Sequence, residues 1–203
     1  MNSLIRRMAP IATAVSLAFV LAGCTKATVE EPRSPVFYDR LDAAGASVSP
    51  EAAASMISGY RAGHGLGPVT VDPLLNKMAA DQARAMAAVD QVGHDVKGGG
   101  SFARRLTASG FDAGIAVENV GAGYRTLAEA FSGWRDSKSH NANMLKPGVT
   151  RLGIGTAYAP SSKYKVYWSL ILAKPYEPPP VSSVPLPADG STVVSIGGAV
   201  VAR

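Results

Sequence analysis

The sequence RLGIGTAYAPSSKYKVYWSLILA, residues 151–173, contains two runs in which apolar side chains occupy every second position. This alternation is typical of a half-buried β-strand, because successive side chains point to opposite faces of a sheet. The loop at residues 159–164 between the runs carries Pro160 and two serines. We therefore predict an antiparallel hairpin of residues 151–158 and 165–173. Its alternating apolar positions are Leu152, Ile154, Val166, Trp168, Leu170 and Leu172.

Four helix start signals lie upstream of this hairpin. Ser49-Pro50-Glu51 and Asp72-Pro73 each place a capping side chain before a proline, which suits the first turn of a helix. Ser101 can cap a short third helix that Gly110 ends, and Thr126-Leu127-Ala128-Glu129 has the spacing of a capping box. We predict four helices from these signals. The second should end near Val92-Gly93.

A glycine-containing segment separates the third helix from the fourth. Within residues 111–125, turn residues flank Val117-Glu118-Asn119-Val120, which favours a short strand. A carboxylate in this apolar setting is costly to bury unless a cation or hydrogen bonds compensate it. Glu118 is therefore a candidate functional residue.

The first 24 residues have the features of an export signal. Arg6 and Arg7 precede an apolar stretch at residues 8–20, which is shorter than the ~20 residues of a transmembrane helix. Leu21-Ala22-Gly23-Cys24 resembles a bacterial lipobox, which implies cleavage after residue 23 and lipidation of Cys24. The alternative is a free buried cysteine. We expect a lipoprotein signal peptide at residues 1–23, then the lipidated Cys24 and a linker at residues 24–48.

Composition limits the remaining protein. Removal of residues 1–23 leaves 180 residues, enough for one domain with a substantial core. Loss of Arg6 and Arg7 reduces the 20 basic residues to 18, against 15 acidic residues, so the formal net charge falls from +5 to +3. This small and scattered excess predicts no nucleic-acid partner. Prolines after residue 174 predict an extended tail at residues 175–203, in which residues 193–196 could add one edge strand.

The three histidines, His64, His94 and His140, are candidate metal ligands. Imidazole is the commonest protein ligand for transition metals, and a carboxylate often completes the set. His94 should follow the second helix and His140 the fourth. However, the gaps between His94, Glu118 and His140 match no compact metal motif. From the residues alone, a shared site stays open beside a structural reading, in which the imidazoles meet carbonyls at helix ends and Glu118 accepts backbone hydrogen bonds.

The order of several motifs resembles the bacterial branch of the CAP superfamily, which groups cysteine-rich secretory proteins, antigen 5 and pathogenesis-related protein 1. The resemblance runs from about Ser49 to Ala173 and implies a CAP domain at residues 49–174. It implies an α+β fold, a three-layer α-β-α sandwich with a central antiparallel sheet. The motifs are Tyr60-Arg61, His64-Gly65-Leu66-Gly67-Pro68, His94, Arg105, Glu118-Asn119-Val120, Trp134, Ser137, His140, Asn143-Met144-Leu145, Gly153-Ile154-Gly155 and Tyr167-Trp168.

The resemblance also implies a cleft where two histidines and two acidic residues meet, sometimes around a divalent metal such as zinc. By position, His94, Glu118 and His140 match three of these residues and are the implied metal ligands. The second acidic position has no clear Glu, and Asp136 is the candidate for it. His64 lies outside the pattern and is expected to be structural or exposed. Arg104 and Arg105 are expected at the surface.

Two functions follow. The first is a lipid-anchored cell-envelope binding module, whose cleft takes up a divalent metal and a small apolar or peptidoglycan-related ligand. The alternative is a metal-dependent hydrolase of envelope peptides, glycans or lipids, with an open metal position or Glu118 as general base. The sequence has no HExxH helix and no Gly-x-Ser-x-Gly elbow, so we assign no catalytic residue and favour binding. Because Thr25 rather than Asp follows Cys24, resemblance to lipoprotein sorting in double-membrane bacteria favours the outer membrane.

Overall fold

The structure is a computed structural model that describes residues 36–178, 193–196 and 199–202. The predicted signal peptide, Cys24, Thr25 and residues 26–35 of the linker lie outside the described residues. After a 3₁₀ turn at Val36–Tyr38, the elements are α1 (Pro50–Ala62), β1 (Thr70–Val71), α2 (Pro73–Val89), α3 (Phe102–Ser109), β2 (Ala113–Ala122), α4 (Leu127–Asp136), α5 (Lys138–Met144), β3 (Arg151–Ala159), β4 (Lys165–Pro175), β5 (Val193–Ile196) and β6 (Ala199–Ala202).

The predicted capping residues begin the first four helices. The side chains of Ser49, Asp72, Ser101 and Thr126 each accept hydrogen bonds from amides of the following turn, which have no partner inside the helix. α2 ends at Val89, three residues before the predicted end. Asp90 adopts a left-handed conformation there, with φ 51°, and its N–H bonds to the carbonyl of Met86.

The central sheet has the strand order β1-β3-β4-β2. The predicted hairpin is confirmed, because β3 and β4 pair antiparallel from Arg151 opposite Ala173 to Ala159 opposite Lys165. β2 is longer than the predicted strand and pairs antiparallel with β4. The two-residue β1 pairs parallel with β3, so the sheet is antiparallel except at this edge.

The two faces of the sheet carry separate helical layers. Trp168 and Leu170 of β4 belong to one core cluster with residues of α1 and α4, including Trp134. Ile171, the next residue of β4, points to the opposite face and belongs to a second cluster with Leu75 and Met78 of α2. Helices on both faces make the predicted three-layer α-β-α sandwich, which is therefore confirmed.

Glycines in β3 let α2 approach the sheet closely. A Cβ at Gly153 would lie 2.1 Å from the carbonyl carbon of Leu75, and a Cβ at Gly155 would lie 2.3 Å from the amide nitrogen of Ala80. Real Cβ contacts do not approach this near, so the backbone of α2 rests directly on the backbone of β3.

Three parts of the chain differ from the predictions. Leu41 and Val48 are buried in the core, so the folded domain extends to the N-terminal side of residue 49 and the linker is shorter than predicted. α5 was not predicted, and it places His140 inside a helix rather than after one. Residues 193–196 form a strand, but they pair with residues 199–202 instead of the central sheet. Residues 179–192, which precede β5, lie outside the described residues.

Candidate functional site

Three of the predicted site residues, His94, Glu118 and His140, lie around the outer edge of β2, where hydrogen bonds attach α5 to the strand. β2 pairs with β4 along its other edge. The side-chain amide of Asn143 donates to the carbonyl of Glu118 at 3.1 Å and to Oδ1 of Asn119 at 2.9 Å. Nδ2 of Asn119 in turn donates to the carbonyl of His140 at 3.0 Å. These hydrogen bonds fix the helix that carries His140 beside Glu118.

The carboxylate of Glu118 is buried and fully occupied by protein donors. Its side chain is 1% exposed. Arg105 donates to both oxygens, each at 2.9 Å, in a bidentate pair. Ser169 Oγ donates to Oε1 at 3.1 Å, and Nδ1 of His94 lies 2.8 Å from Oε2. A carboxylate offers about four lone-pair positions, so four donors leave it no free acceptor site.

Arg105 is the central donor of the site, and the expectation that it lies at the surface is wrong. Its side chain is 8% exposed. Besides Glu118, its guanidinium donates to the carbonyl of His94 at 2.8 Å and to that of Gly100 at 3.2 Å, and it lies over the ring of Phe102. It therefore joins α3, β2 and the loop between α2 and α3. The sequence signal for such a partner was the apolar setting of Glu118, because a buried carboxylate needs a cation or hydrogen bonds to compensate it.

His94 presents one ring nitrogen to solvent. Its side chain is 55% exposed. Because the oxygen of Glu118 accepts, Nδ1 is the donor and Nε2 is left to accept a hydrogen bond or bind a ligand. The loop that carries His94 is anchored by Gln82, whose Nε2 donates to the carbonyl of Gly93 at 2.7 Å while the side chain is fully buried. The exposed imidazole is thus held in one orientation.

His140 is half-buried in the first turn of α5. Burial lowers the pKa of its imidazole, because the charged form loses hydration, and the positive charge of protonated His94 lowers it further. His94 contacts the side chain of Glu118, and the neighbouring Asn119 donates to the carbonyl of His140. The structure therefore brings His94, Glu118 and His140 to one region of the fold.

The other two sequence candidates lie apart from this group. Asp136 has a 67% exposed side chain and pairs with the neighbouring Arg135 at 2.9 Å. It is a solvated residue at the end of α4, so the structure does not place it in the cleft. His64 is exposed at the end of α1, where its Nδ1 lies 2.9 Å from the carbonyl of Tyr60, as expected for a structural residue.

The predicted three-ligand metal set does not fit this donor geometry. Both oxygens of Glu118 already accept hydrogen bonds, and a metal ligand needs a free lone pair. Within the described ranges, no group of three or more His, Cys, Asp or Glu side chains is arranged to hold a metal ion. His94 and His140 remain the predicted metal ligands. Glu118 contacts His94 as a carboxylate does when it orients a histidine ligand.

A groove with apolar and charged lining residues lies beside this group. A groove of about 400 Å³ runs between α2 and α3, with Leu74, Met78 and Ala108 among its lining residues. Arg105 contributes to this groove, but His94, Glu118 and His140 do not line it. The group of His94, Glu118 and His140 therefore does not coincide with this groove.

An antiparallel sheet between two helical layers, with a His-Glu pair at the edge of β2, defines a domain of the CAP class. The model of the cysteine-rich secretory protein family, named CAP, matches residues 54–172, which is more than half of the chain. The chain belongs to this family, and the resemblance seen in the sequence is confirmed.

A sequence relative and solved structures with a similar fold come from bacteria. The uncharacterized protein YkwD of Bacillus subtilis is 30% identical over 91 residues, which are 45% of this chain and 35% of that protein. An extracellular protein from Bacillus anthracis that contains an SCP domain is 21% identical, with a TM-score of 0.54, over 61% of this chain and 39% of that one. An outer surface protein of Borrelia burgdorferi is 16% identical, with a TM-score of 0.55, over 65% of this chain and 99% of that one.

The chain thus matches little more than a third of the length of both Bacillus proteins, and the two structural similarities establish the fold. Among the helices that the structure describes, none combines the length and hydrophobicity needed to cross a membrane.

Proposed function

We propose that this protein is a cell-envelope binding module whose polar cleft, at the edge of β2, binds a peptidoglycan-related ligand without hydrolysing it. The observation that carries the proposal is the contrast between two neighbouring groups. The carboxylate of Glu118 is buried and saturated, whereas the imidazole of His94 is half exposed and held by that carboxylate. A fixed, exposed donor or acceptor on a rigid support is suited to recognition.

The same contrast argues against Glu118 as a general base. A base must offer a free lone pair within reach of the substrate proton. Both oxygens of Glu118 instead accept hydrogen bonds from Arg105, and its side chain is almost completely buried. This geometry favours binding over the alternative of a hydrolase.

A polar ligand suits the cleft better than an apolar one. Its accessible groups are the imidazole of His94 and the half-buried imidazole of His140, and the loop beside it carries Asp95 and Lys97, both exposed. Glycan hydroxyls and peptide amides can exchange hydrogen bonds with such groups. The apolar walls of the groove between α2 and α3 are separate from them.

We further propose that the domain works outside the cytoplasm, held to the outer membrane by the lipidated Cys24. Support comes from the export signal and lipobox pattern of residues 1–24 and from Thr25. The solved structures that share its fold include an extracellular protein and an outer surface protein. Radiolabelled palmitate incorporation into the wild-type chain, but not into Cys24→Ser, would test the anchor.

Binding to isolated peptidoglycan sacculi tests the proposed activity. The full chain, purified in detergent, is sedimented with insoluble sacculi, and the supernatant is analysed for released muropeptides. We expect the wild type to co-sediment and release nothing, and His94→Ala and His140→Ala to co-sediment at least ~10-fold more weakly. His64→Ala is the matched control, because this histidine is exposed and outside the cleft.

Two results would refute this function. Soluble fragments that appear with the wild type but not with His94→Ala would establish hydrolysis instead. Equal sedimentation of the wild type and both cleft variants would place any binding outside the cleft.

A further inference from the structure

We infer that Arg105 is the permanent counter-ion of Glu118. It occupies the carboxylate so that a metal ion cannot bind there, and it allows the site to fold without a metal ion. The carboxylate of Glu118 needs a counter-ion whatever ligand the site binds, because an unpaired buried carboxylate is very costly.

Arg105 and Glu118 form a complete ion pair. Arg105 Nη1 and Nη2 each reach one oxygen of Glu118 at 2.9 Å, which is the bidentate geometry that matches a guanidinium to a carboxylate. Ser169 and His94 supply the remaining two donors. A metal ion could bind Glu118 only by displacing one of these four hydrogen bonds.

Arg105 holds more than Glu118. It also donates to the carbonyls of His94 and Gly100, both in the loop between α2 and α3 that presents the His94 imidazole. Displacement of the guanidinium by a metal would leave these two carbonyls without this donor. The arginine thus neutralises the charge of Glu118 and also holds the loop through hydrogen bonds. A metal ion, which donates no hydrogen bonds, would not do both.

The pair of Arg105 and Glu118 is also shielded from solvent, since the two side chains are 8% and 1% exposed. α3, which carries Arg105, is held in place because Phe102 and Leu106 pack against the cluster around Leu75. The pair is therefore a fixed part of the fold.

Thermal unfolding of the full chain in detergent, with and without a chelator, tests this inference. We expect the same Tm for the wild type before and after treatment with EDTA. We expect Arg105→Met to lower Tm by at least about 5 °C, because it leaves Glu118 buried without its counter-ion. Arg105→Met combined with Glu118→Gln should recover most of that loss, since the uncharged pair no longer needs a cation.

Zinc added to the same variants provides the second readout. Arg105→Met frees the carboxylate, so we expect excess ZnCl₂ to raise its Tm with increasing concentration. The double variant, which lacks the carboxylate, should not respond in this way. If Arg105→Met does not fold, Arg105→Lys keeps the charge but not the bidentate geometry, and a smaller loss of Tm with a smaller zinc response is expected.

Arg135→Met is the matched control, because Arg135 makes the same kind of contact with Asp136 at 2.9 Å in an exposed position. It should change Tm little. The inference is overturned if EDTA lowers the Tm of the wild type and zinc restores it. It is also overturned if the loss of Tm in the double variant equals the sum of the losses in Arg105→Met and in Glu118→Gln. A third contrary result is a folded single Arg105 variant that zinc fails to stabilise.

Discussion

The side-chain amide of Asn143 donates to the main-chain carbonyl of Glu118 at 3.1 Å, so α5 is attached to the strand residue whose carboxylate holds Arg105. The same amide donates to Oδ1 of Asn119. One asparagine thus satisfies a carbonyl at the outer edge of β2 and links the two halves of the cleft. α5 is only seven residues long, and such a short helix depends on tertiary contacts.

Replacement of Asn143 by Ala should therefore loosen α5 and lower the free energy of unfolding by about 1–3 kcal/mol, because two acceptors lose a donor. Urea unfolding measures the loss, and hydrogen exchange should show faster exchange in α5 than elsewhere. Ser139→Ala, on the exposed side of the same helix, is the control. Unchanged exchange in α5 would mean that other contacts hold the helix.

The elements predicted correctly from sequence are those with local signals. The caps at Ser49, Asp72, Ser101 and Thr126 act on amides two or three residues away, so the pattern that predicts them is contained in a few positions. The hairpin of β3 and β4 follows from alternation within each strand and a short loop. Such features do not depend on the rest of the fold.

The features that sequence reasoning missed depend on distant partners. α5 has little apolar periodicity, and its Asn143 finds its acceptors 24 and 25 residues away. Arg105 follows Arg104 on α3, and the sequence does not show which of the two is buried. Arg105 is buried because it pairs with Glu118, which lies on β2. Spacing along the chain does not encode which charged side chain a buried carboxylate will meet.

The stability of the protein should fall as the pH drops below about 6.5, with His140 as one contributor. Burial lowers the pKa of His140 in the folded state, so the unfolded chain takes up a proton at a higher pH than the folded one. The contribution is complete above the pKa of the unfolded state and is lost as the pH falls from there toward the folded pKa.

His140→Gln should flatten this pH dependence, which urea unfolding at pH 7.5 and 5.5 can measure. NMR titration of the imidazole gives the direct comparison. A folded-state pKa of His140 above the ordinary value of 6.5 would contradict the assignment, because the slope would then have the opposite sign.

Gly155 should not tolerate a side chain. A Cβ there would lie 2.3 Å from the amide nitrogen of Ala80, so α2 would have to move away from β3. We expect Gly155→Ala to destabilise the domain by about 3 kcal/mol or more, at the upper end for overpacked positions. Gly67→Ala is the control, since a Cβ at Gly67 meets nothing within 4 Å. Equal urea midpoints for the two variants would show that α2 does not rest on the strand as described.

The hydroxyl of Tyr167 should stabilise the end of α2 in a pH-dependent way. It donates to the carboxylate of Asp90, which also accepts from Ser162 Oγ at 2.6 Å. The hydrogen bond from Ser162, followed by that from Tyr167, lowers the pKa of Asp90 below its ordinary value of 3.8. Because the folded pKa is depressed, the stabilisation is present above pH 3.8 and is lost as the pH falls through the folded pKa.

Tyr167→Phe removes one of these two donors and leaves the ring in place. Its free energy of unfolding should lie below that of the wild type at pH 7, and the difference should shrink as the pH falls below 3.8, where Asp90 gains a proton in both proteins. Guanidinium unfolding across this range measures both quantities. A difference that stays constant with pH would mean that the hydroxyl acts through Ser162 alone, which lies 2.9 Å from it.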